Sequence, residues 1–191
     1  MRLGIFGGSF DPLHIGHLIV ACEALHRESL DRVLVVPTGR PPHKSRELAP
    51  IEHRLAMVRL GIVGVTGLEA SDVEARSETA YTVDTLRWAA RAFDDPELFL
   101  IIGKDSLGEL HTWREPDEVL RLSTLLVYRR RDADPGAVSH PHRMLDGDAI
   151  DVSSSSLRRR IAEGAPIRFW VPEPVRRYIE RHGLYRAGSP C

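Results

Sequence analysis

Short aliphatic runs along this chain alternate with stretches in which apolar positions recur every three or four residues. Residues 2–6, 33–36, 98–102 and 125–128 are runs of the first kind and predict buried strands. Residues 68–74 are a weaker strand candidate. Helical spacing begins near Gly16, where Leu18, Ala21, Cys22 and Leu25 share a stripe, and returns over 51–63 with Ile51, Leu55, Val58 and Ile62. Further helices are predicted over 82–92, 104–111, 115–121, 155–163 and 174–181. Residues 132–147 mix glycine, prolines, histidines and acids without a period, which predicts a loop.

Strands that alternate with helices predict a parallel sheet joined by right-handed crossovers. Open parallel sheets bind ligands beyond the carboxyl ends of their strands. Three segments fall there: 7–17 after the first strand, 37–44 after the second, and 103–113 after the strand over 98–102. Three strand ends aimed at one crevice define a candidate site.

Composition narrows the class without changing this architecture. The 191 residues suit a single domain, and 42% hydrophobic with 28% charged residues is ordinary for a globular protein. A formal net charge of −1 gives no global pull toward nucleic acid or an acidic membrane, although arginines cluster at 129–131 and 158–160. Two cysteines, Cys22 and Cys191, are no disulfide framework. No apolar run reaches the ~20 residues that span a bilayer, and the first residues lack a signal-peptide plan. The expectation is a soluble cytoplasmic protein that binds neither nucleic acid nor membrane.

The candidate chemistry lies in GIFGGSFDPLHIGH, residues 4–17. Gly7 and Gly8 permit tight backbone geometry and close approach of a ligand. Backbone N–H groups there and at the next helix start can face an anion. His14 and His17 are three apart, one turn of a helix, and imidazoles can donate to phosphate oxygens. The spacing is neither G-x-G-x-x-G nor G-x-x-x-x-G-K-[ST], which disfavours hydride transfer and a P-loop. A zinc pair and two surface histidines at a helix start are the competing explanations, and no cysteine pair or H-E-x-x-H supports zinc.

Gly8 through His17 resembles the signature of the HIGH-motif nucleotidyltransferase superfamily, G-x-F-D-P-x-H-x-G-H. Val152 through Arg158 is similar to its second signature, I-S-S-T-x-I-R, with Val, Ser and Leu in place of Ile, Thr and Ile. Within that superfamily the chain resembles the bacterial nicotinate-nucleotide adenylyltransferases. Pro41-Pro42-His43-Lys44 is similar to their P-P-H-K/R loop, and Ala80 through Leu86 resembles S-Y-T-x-x-T-L with alanine for serine. Gly103-Lys104-Asp105 followed by Trp113 matches G-x-D…W, and Val171-Pro172 through Tyr185 matches their ending.

The resemblance implies an α/β, Rossmann-like doubly wound parallel sheet in one domain, 1–191, with 152–185 as a helical C-terminal part. It implies transfer of the AMP moiety of ATP to nicotinate mononucleotide, releasing pyrophosphate, in NAD biosynthesis. Mg²⁺ would accompany ATP as cofactor. His14, His17 and Arg158 would be catalytic. Gly7, Gly8, Ser9, Phe10, Gly103, Asp105, Ser153 and Ser155 would join His17 and Arg158 in holding ATP. His43, Lys44, Thr82 and Trp113 would hold the mononucleotide, with Trp113 stacking on the pyridine ring and Thr85 an equally good polar candidate beside Thr82. Asp105 also suits an N-cap and Trp113 a core position. No separate metal site on the protein is implied, and self-association is left open.

Other members of the class remain in view. Phosphopantetheine adenylyltransferase shares the first motif but not the Pro-Pro-His-Lys loop or Trp113, and transfer to the amidated mononucleotide is a closer rival. A sensor that binds without turnover would not need both histidines and Arg158. An aminoacyl-tRNA synthetase would need a K-M-S-K-S loop and an anticodon domain that this chain lacks.

Overall fold

The structure, a computed structural model, describes residues 1–39, 48–76, 81–128, 140–145 and 150–186. Among these residues six strands form one sheet: β1 (Arg2–Gly8), β2 (Arg32–Pro37), β3 (Leu68–Ala70), β4 (Glu97–Gly103), β5 (Thr124–Tyr128) and β6 (Arg143–Leu145). Their order is β3-β2-β1-β4-β5-β6, and every neighbouring pair is parallel. Among the described residues there are seven α-helices: α1 (Ile15–Arg27), α2 (Ile51–Gly61), α3 (Thr82–Ala92), α4 (Lys104–Gly108), α5 (Pro116–Leu122), α6 (Ser154–Ala162) and α7 (Glu173–His182). The chain lays down β1, β2 and β3 in one direction, then returns past β1 to add β4, β5 and β6. The order therefore reverses between β1 and β4, and a crevice opens at their carboxyl ends. Phe6 pairs with Ile101, so each strand ends on a glycine two residues later, at Gly8 and Gly103.

The alternation of side chains along each strand divides the core between the two faces. Leu3, Ile5, Leu34, Val36, Leu98, Leu100, Leu125 and Val127 pack with Val83, Leu86 and Ala89 of α3 and Val119 of α5. Phe6, Val33, Val35, Phe99, Ile101 and Leu126 face the other way, with Ala21 and Ala24 of α1 and Val58 of α2. Helices thus cover both faces, the doubly wound α/β arrangement expected. A third cluster joins Met57 of α2 to Val152, Leu157 of α6, Ile167, Val171, and Val175 and Ile179 of α7.

The structure differs from the sequence expectation in four places. Residues 143–145, expected as loop, are strand β6, paired with β5 through Leu126 and Arg143. Three residues are too few to show a period, and only Leu145 of them is buried. Strand β3 stops at Ala70, and residues 74–76 form a 3-10 turn, so the candidate 68–74 was too long. The predicted helix over 104–111 divides into α4 and a 3-10 turn at Leu110–Thr112, parted after Gly108. Finally, β1 runs through Gly7 and Gly8, since backbone pairing with Val36 and Pro37 of β2 does not need side chains.

Candidate active site

The turn between β1 and α1 is built to hold two imidazoles together. Phe10 is fully buried in a left-handed conformation, φ 45°, and a Cβ at position 8 would come within 2.9 Å of its ring. Glycine at 8 is therefore required by close approach. A cis Asp11–Pro12 bond follows, and His14 is the N-cap of α1. The His14 and His17 rings stack with centroids 3.6 Å apart and planes 20° apart. A Cβ at position 16 would lie 2.8 Å from Val152 and 3.1 Å from His14 Nδ1, so only glycine lets the His14 ring lie there. The His14 backbone N–H donates to His17 Nδ1 at 3.2 Å. In the neutral ring that bond makes Nδ1 the acceptor and places the proton on Nε2, so His17 presents Nε2–H as a donor. Phe10 packs edge-on against His17 at 4.9 Å and limits its rotation.

Arg158 reaches this turn from the far end of the chain. It lies on α6, whose N-cap Ser153 accepts the Ser156 N–H at 3.1 Å. The Arg158 guanidinium donates to the Asp11 carbonyl at 2.6 Å and to Ser155 Oγ at 2.9 Å. Ser154 Oγ donates to the Pro12 carbonyl at 3.0 Å. The Asp11 carboxylate, fully buried, lies 3.7 Å from Arg158 and accepts from the Tyr185 hydroxyl at 2.7 Å and the Ala49 N–H at 3.3 Å. The Ile15 N–H donates to the Trp170 carbonyl at 3.0 Å. The β1–α1 turn and the helical part that carries α6 and α7 thus meet, and His14, His17, Ser153, Ser155 and Arg158 are brought together.

Other expected residues take their places around the same strand ends. Gly7 is exposed, and no described atom lies within 4 Å of where its Cβ would be. Ser9 follows, half-buried, with its carbonyl engaged by Arg54. Gly103 is the N-cap of α4, and a Cβ there would lie 3.3 Å from the Tyr128 hydroxyl. The N-cap alternative for Asp105 is thereby corrected: Asp105 sits exposed in the first turn, because the helix begins one residue earlier, at Lys104. Trp113 is half-buried and packs on the α3 face of the core, so one side of it is a core residue. Thr82 is half-buried at the start of α3, whereas Thr85 is buried and donates to Glu74 at 2.7 Å, which removes Thr85 as a ligand candidate. His43 and Lys44 lie outside the described residues.

Sequence reasoning missed two buried charged residues under these loops. Arg54, on α2, is 3% exposed, and among the described residues it donates to four carbonyls: Ala49 at 2.8 Å, Thr38 at 2.7 Å, Ser9 at 3.0 Å and Gly39 at 3.5 Å. Burial lowers its pKa, against the opposing pull of Asp11, Tyr185, Glu52 and Glu74. Glu74 accepts from Thr85 and, at 3.3 Å, from the Gly39 N–H. Burial raises its pKa above the usual carboxylate range. Arg54 did leave a trace in the sequence, since position 54 falls within the stripe of Ile51, Leu55 and Val58.

The crevice offers N–H, hydroxyl and guanidinium donors around a backbone turn, which is the chemistry of an anion site. It does not offer a metal cage: among the described residues no group of three His, Cys, Asp or Glu side chains could hold an ion. The donor set fits a divalent ion that arrives already ligated by phosphate oxygens.

A cytidylyltransferase-like family model matches residues 5–160. A probable nicotinate-nucleotide adenylyltransferase from Thermomicrobium roseum is 44% identical over 197 residues, covering 97% of this chain and 92% of that protein. Another from Thermus thermophilus is 43% identical, covering 97% of this chain and all of that one. Among solved structures, the fold is similar to Plasmodium falciparum nicotinic acid mononucleotide adenylyltransferase complexed with NaAD, with a TM-score of 0.78 at 19% identity over 96% of this chain and 97% of that one.

Proposed function

Because the chain belongs to the cytidylyltransferase-like family and, within it, to the nicotinate-nucleotide adenylyltransferases, we propose how its own residues join AMP from ATP to nicotinate mononucleotide in NAD biosynthesis. The attacking group is the mononucleotide's phosphate, already anionic near neutral pH, so no general base and no covalent enzyme intermediate are needed. The protein's task is to hold two phosphates in line and to offset the charge that grows on the departing pyrophosphate.

His17 Nε2–H and His14 face the α-phosphoryl group. Arg158 grips the β- and γ-phosphates, since a guanidinium is always charged and presents five donors, of which Asp11 and Ser155 occupy part. Gly7, Gly8, Ser9 and Phe10 shape the backbone cradle, Ser153 and Ser155 add donors at the start of α6, and Gly103 and Asp105 meet the ribose. Trp113 stacks on the pyridine ring, Thr82 lies beside its carboxylate, and His43 and Lys44 meet the mononucleotide phosphate. Mg²⁺ brought in with ATP would add to the charge neutralisation that Arg158 and the histidines give the leaving group. The helical part 152–185 belongs to the single domain as the element that delivers Arg158. The enzyme works in the cytoplasm on small molecules, without nucleic acid or membrane, and among the described residues no helix is long and apolar enough to cross a bilayer.

The observation that carries this mechanism is the 2.6 Å bond from Arg158 to the Asp11 carbonyl, three residues before His14. It ties the distant cation to the histidine turn. The test is pyrophosphate release with ATP and Mg²⁺ against nicotinate mononucleotide, its amide and phosphopantetheine. Turnover with nicotinate mononucleotide well above the other two is expected; preference for either alternative would overturn the assignment of acceptor.

A further inference from the structure

Arg54 lies under three loops at once. Its Nη1 donates both to Ser9, in the turn expected to cradle ATP, and to Thr38, where the chain leaves β2 toward the acceptor segment. Its Nη2 reaches Gly39 at 3.5 Å, and Nε closes on Ala49 at 2.8 Å, where the chain returns to α2. Glu74 holds the same place from the other side, accepting the Gly39 N–H while its second oxygen accepts the Thr85 hydroxyl of α3. Gly39 is thus gripped by a cation at its carbonyl and by a carboxyl at its N–H.

A buried guanidinium is costly, and carbonyl partners carry only partial charge. Four carbonyls on three separate segments nonetheless need a group with several N–H donors in a fixed planar fork, and only arginine has one. An ammonium offers three donors at one point and cannot reach the same set. The residue is 3% exposed and its hydrogen-bond partners among the described residues are backbone carbonyls, so it is placed to fix loops rather than to touch a ligand.

We infer that Arg54, braced by Glu74, is a positioning residue that sets the distance between the ATP cradle at Ser9 and the end of β2 at Thr38 and Gly39, which precedes the acceptor segment in sequence. This rests on the two-substrate function proposed above. In-line displacement depends on that distance, and a misplacement of ~1 Å can cost on the order of 10²-fold in rate without loss of either binding site. Arg54 therefore acts on turnover more than on affinity for either substrate alone.

The test measures kcat, and the Kd of each substrate separately, for wild type, Arg54→Lys and Glu74→Gln, with circular dichroism and melting to verify folding. Arg54→Lys is expected to lower kcat by ~30- to 100-fold while each Kd moves less than ~3-fold. Glu74→Gln, which keeps one acceptor and the shape, is expected to lower kcat by ~3- to 10-fold with both Kd values held. A folded Arg54→Lys protein with near wild-type kcat overturns the inference, as does a loss of kcat matched by equal losses in both Kd values. Should Arg54→Lys fail to fold, Glu74→Gln decides: unchanged kcat overturns the positioning role. Wild-type protein that releases no pyrophosphate with ATP and nicotinate mononucleotide would instead defeat the proposed function, a separate outcome.

Discussion

Arg54 and Arg176 show what burial does to one side chain. Arg176 on α7 pairs with Glu173 and Glu180 at the surface, and those carboxylates raise its pKa. Arg54 in the crevice donates to carbonyls of four loop residues, and burial lowers its pKa. Surface charges that meet in water are screened and hold little else in place. A buried guanidinium fixes whatever backbone surrounds it. The density of buried polar groups near one end of the sheet (Asp11, His14, Arg54, Glu74 and Thr85) marks where the molecule gives up easy packing for geometry.

The sharpest way to break this contrast is at the histidines. His17→Ala should leave the fold and melting temperature nearly unchanged and lower turnover by ~10²- to 10³-fold, as for loss of one transition-state donor; steady-state pyrophosphate release checks it. Trp113→Ala comes next. It should weaken nicotinate mononucleotide binding by ~10- to 100-fold and leave ATP binding nearly intact, with the stacking contribution read by calorimetry of each substrate. Equal losses for both substrates would return Trp113 to a purely packing role.

The two carboxylates Glu74 and Glu173 sharpen the contrast through pH. Glu173 is held down to about 2 by Arg176 and Arg177, so its contribution is present above the ordinary carboxylate pKa and is lost as pH falls toward about 2. Glu74 is raised by burial, so the folded state holds its proton more tightly than the unfolded chain; its contribution is present below the ordinary value and is lost as pH rises through the raised one. Melting of Glu74→Gln should therefore gain on wild type as pH rises through that window. The smallest effect belongs to Glu173→Gln at neutral pH: activity unchanged, and a melting temperature within ~2 °C of wild type.

The strands were legible because burial on both faces of a parallel sheet leaves uninterrupted aliphatic runs, as in residues 98–102. Strand β6 was not, since three residues at a sheet edge carry no period and Arg143 and Met144 face solvent. The histidines and Arg158 were legible through their motifs, although 140 residues lie between His17 and Arg158. Glu74 left no pattern, because a carboxylate after a weak strand is ordinarily solvated. Arg54 did leave one: a charge within an apolar helical stripe is costly unless its donors are used. Its partners, spread from Ser9 to Ala49, exist only after folding.

The most direct measurement is a double-mutant cycle on single-turnover AMP transfer, with His17→Ala and Arg158→Ala made singly and together, both substrates saturating. Convergence on one triphosphate predicts single losses of ~10²-fold or more and a double loss well short of their product, as for groups that act as a unit. A near wild-type rate in either single variant, or losses that multiply fully, would contradict it.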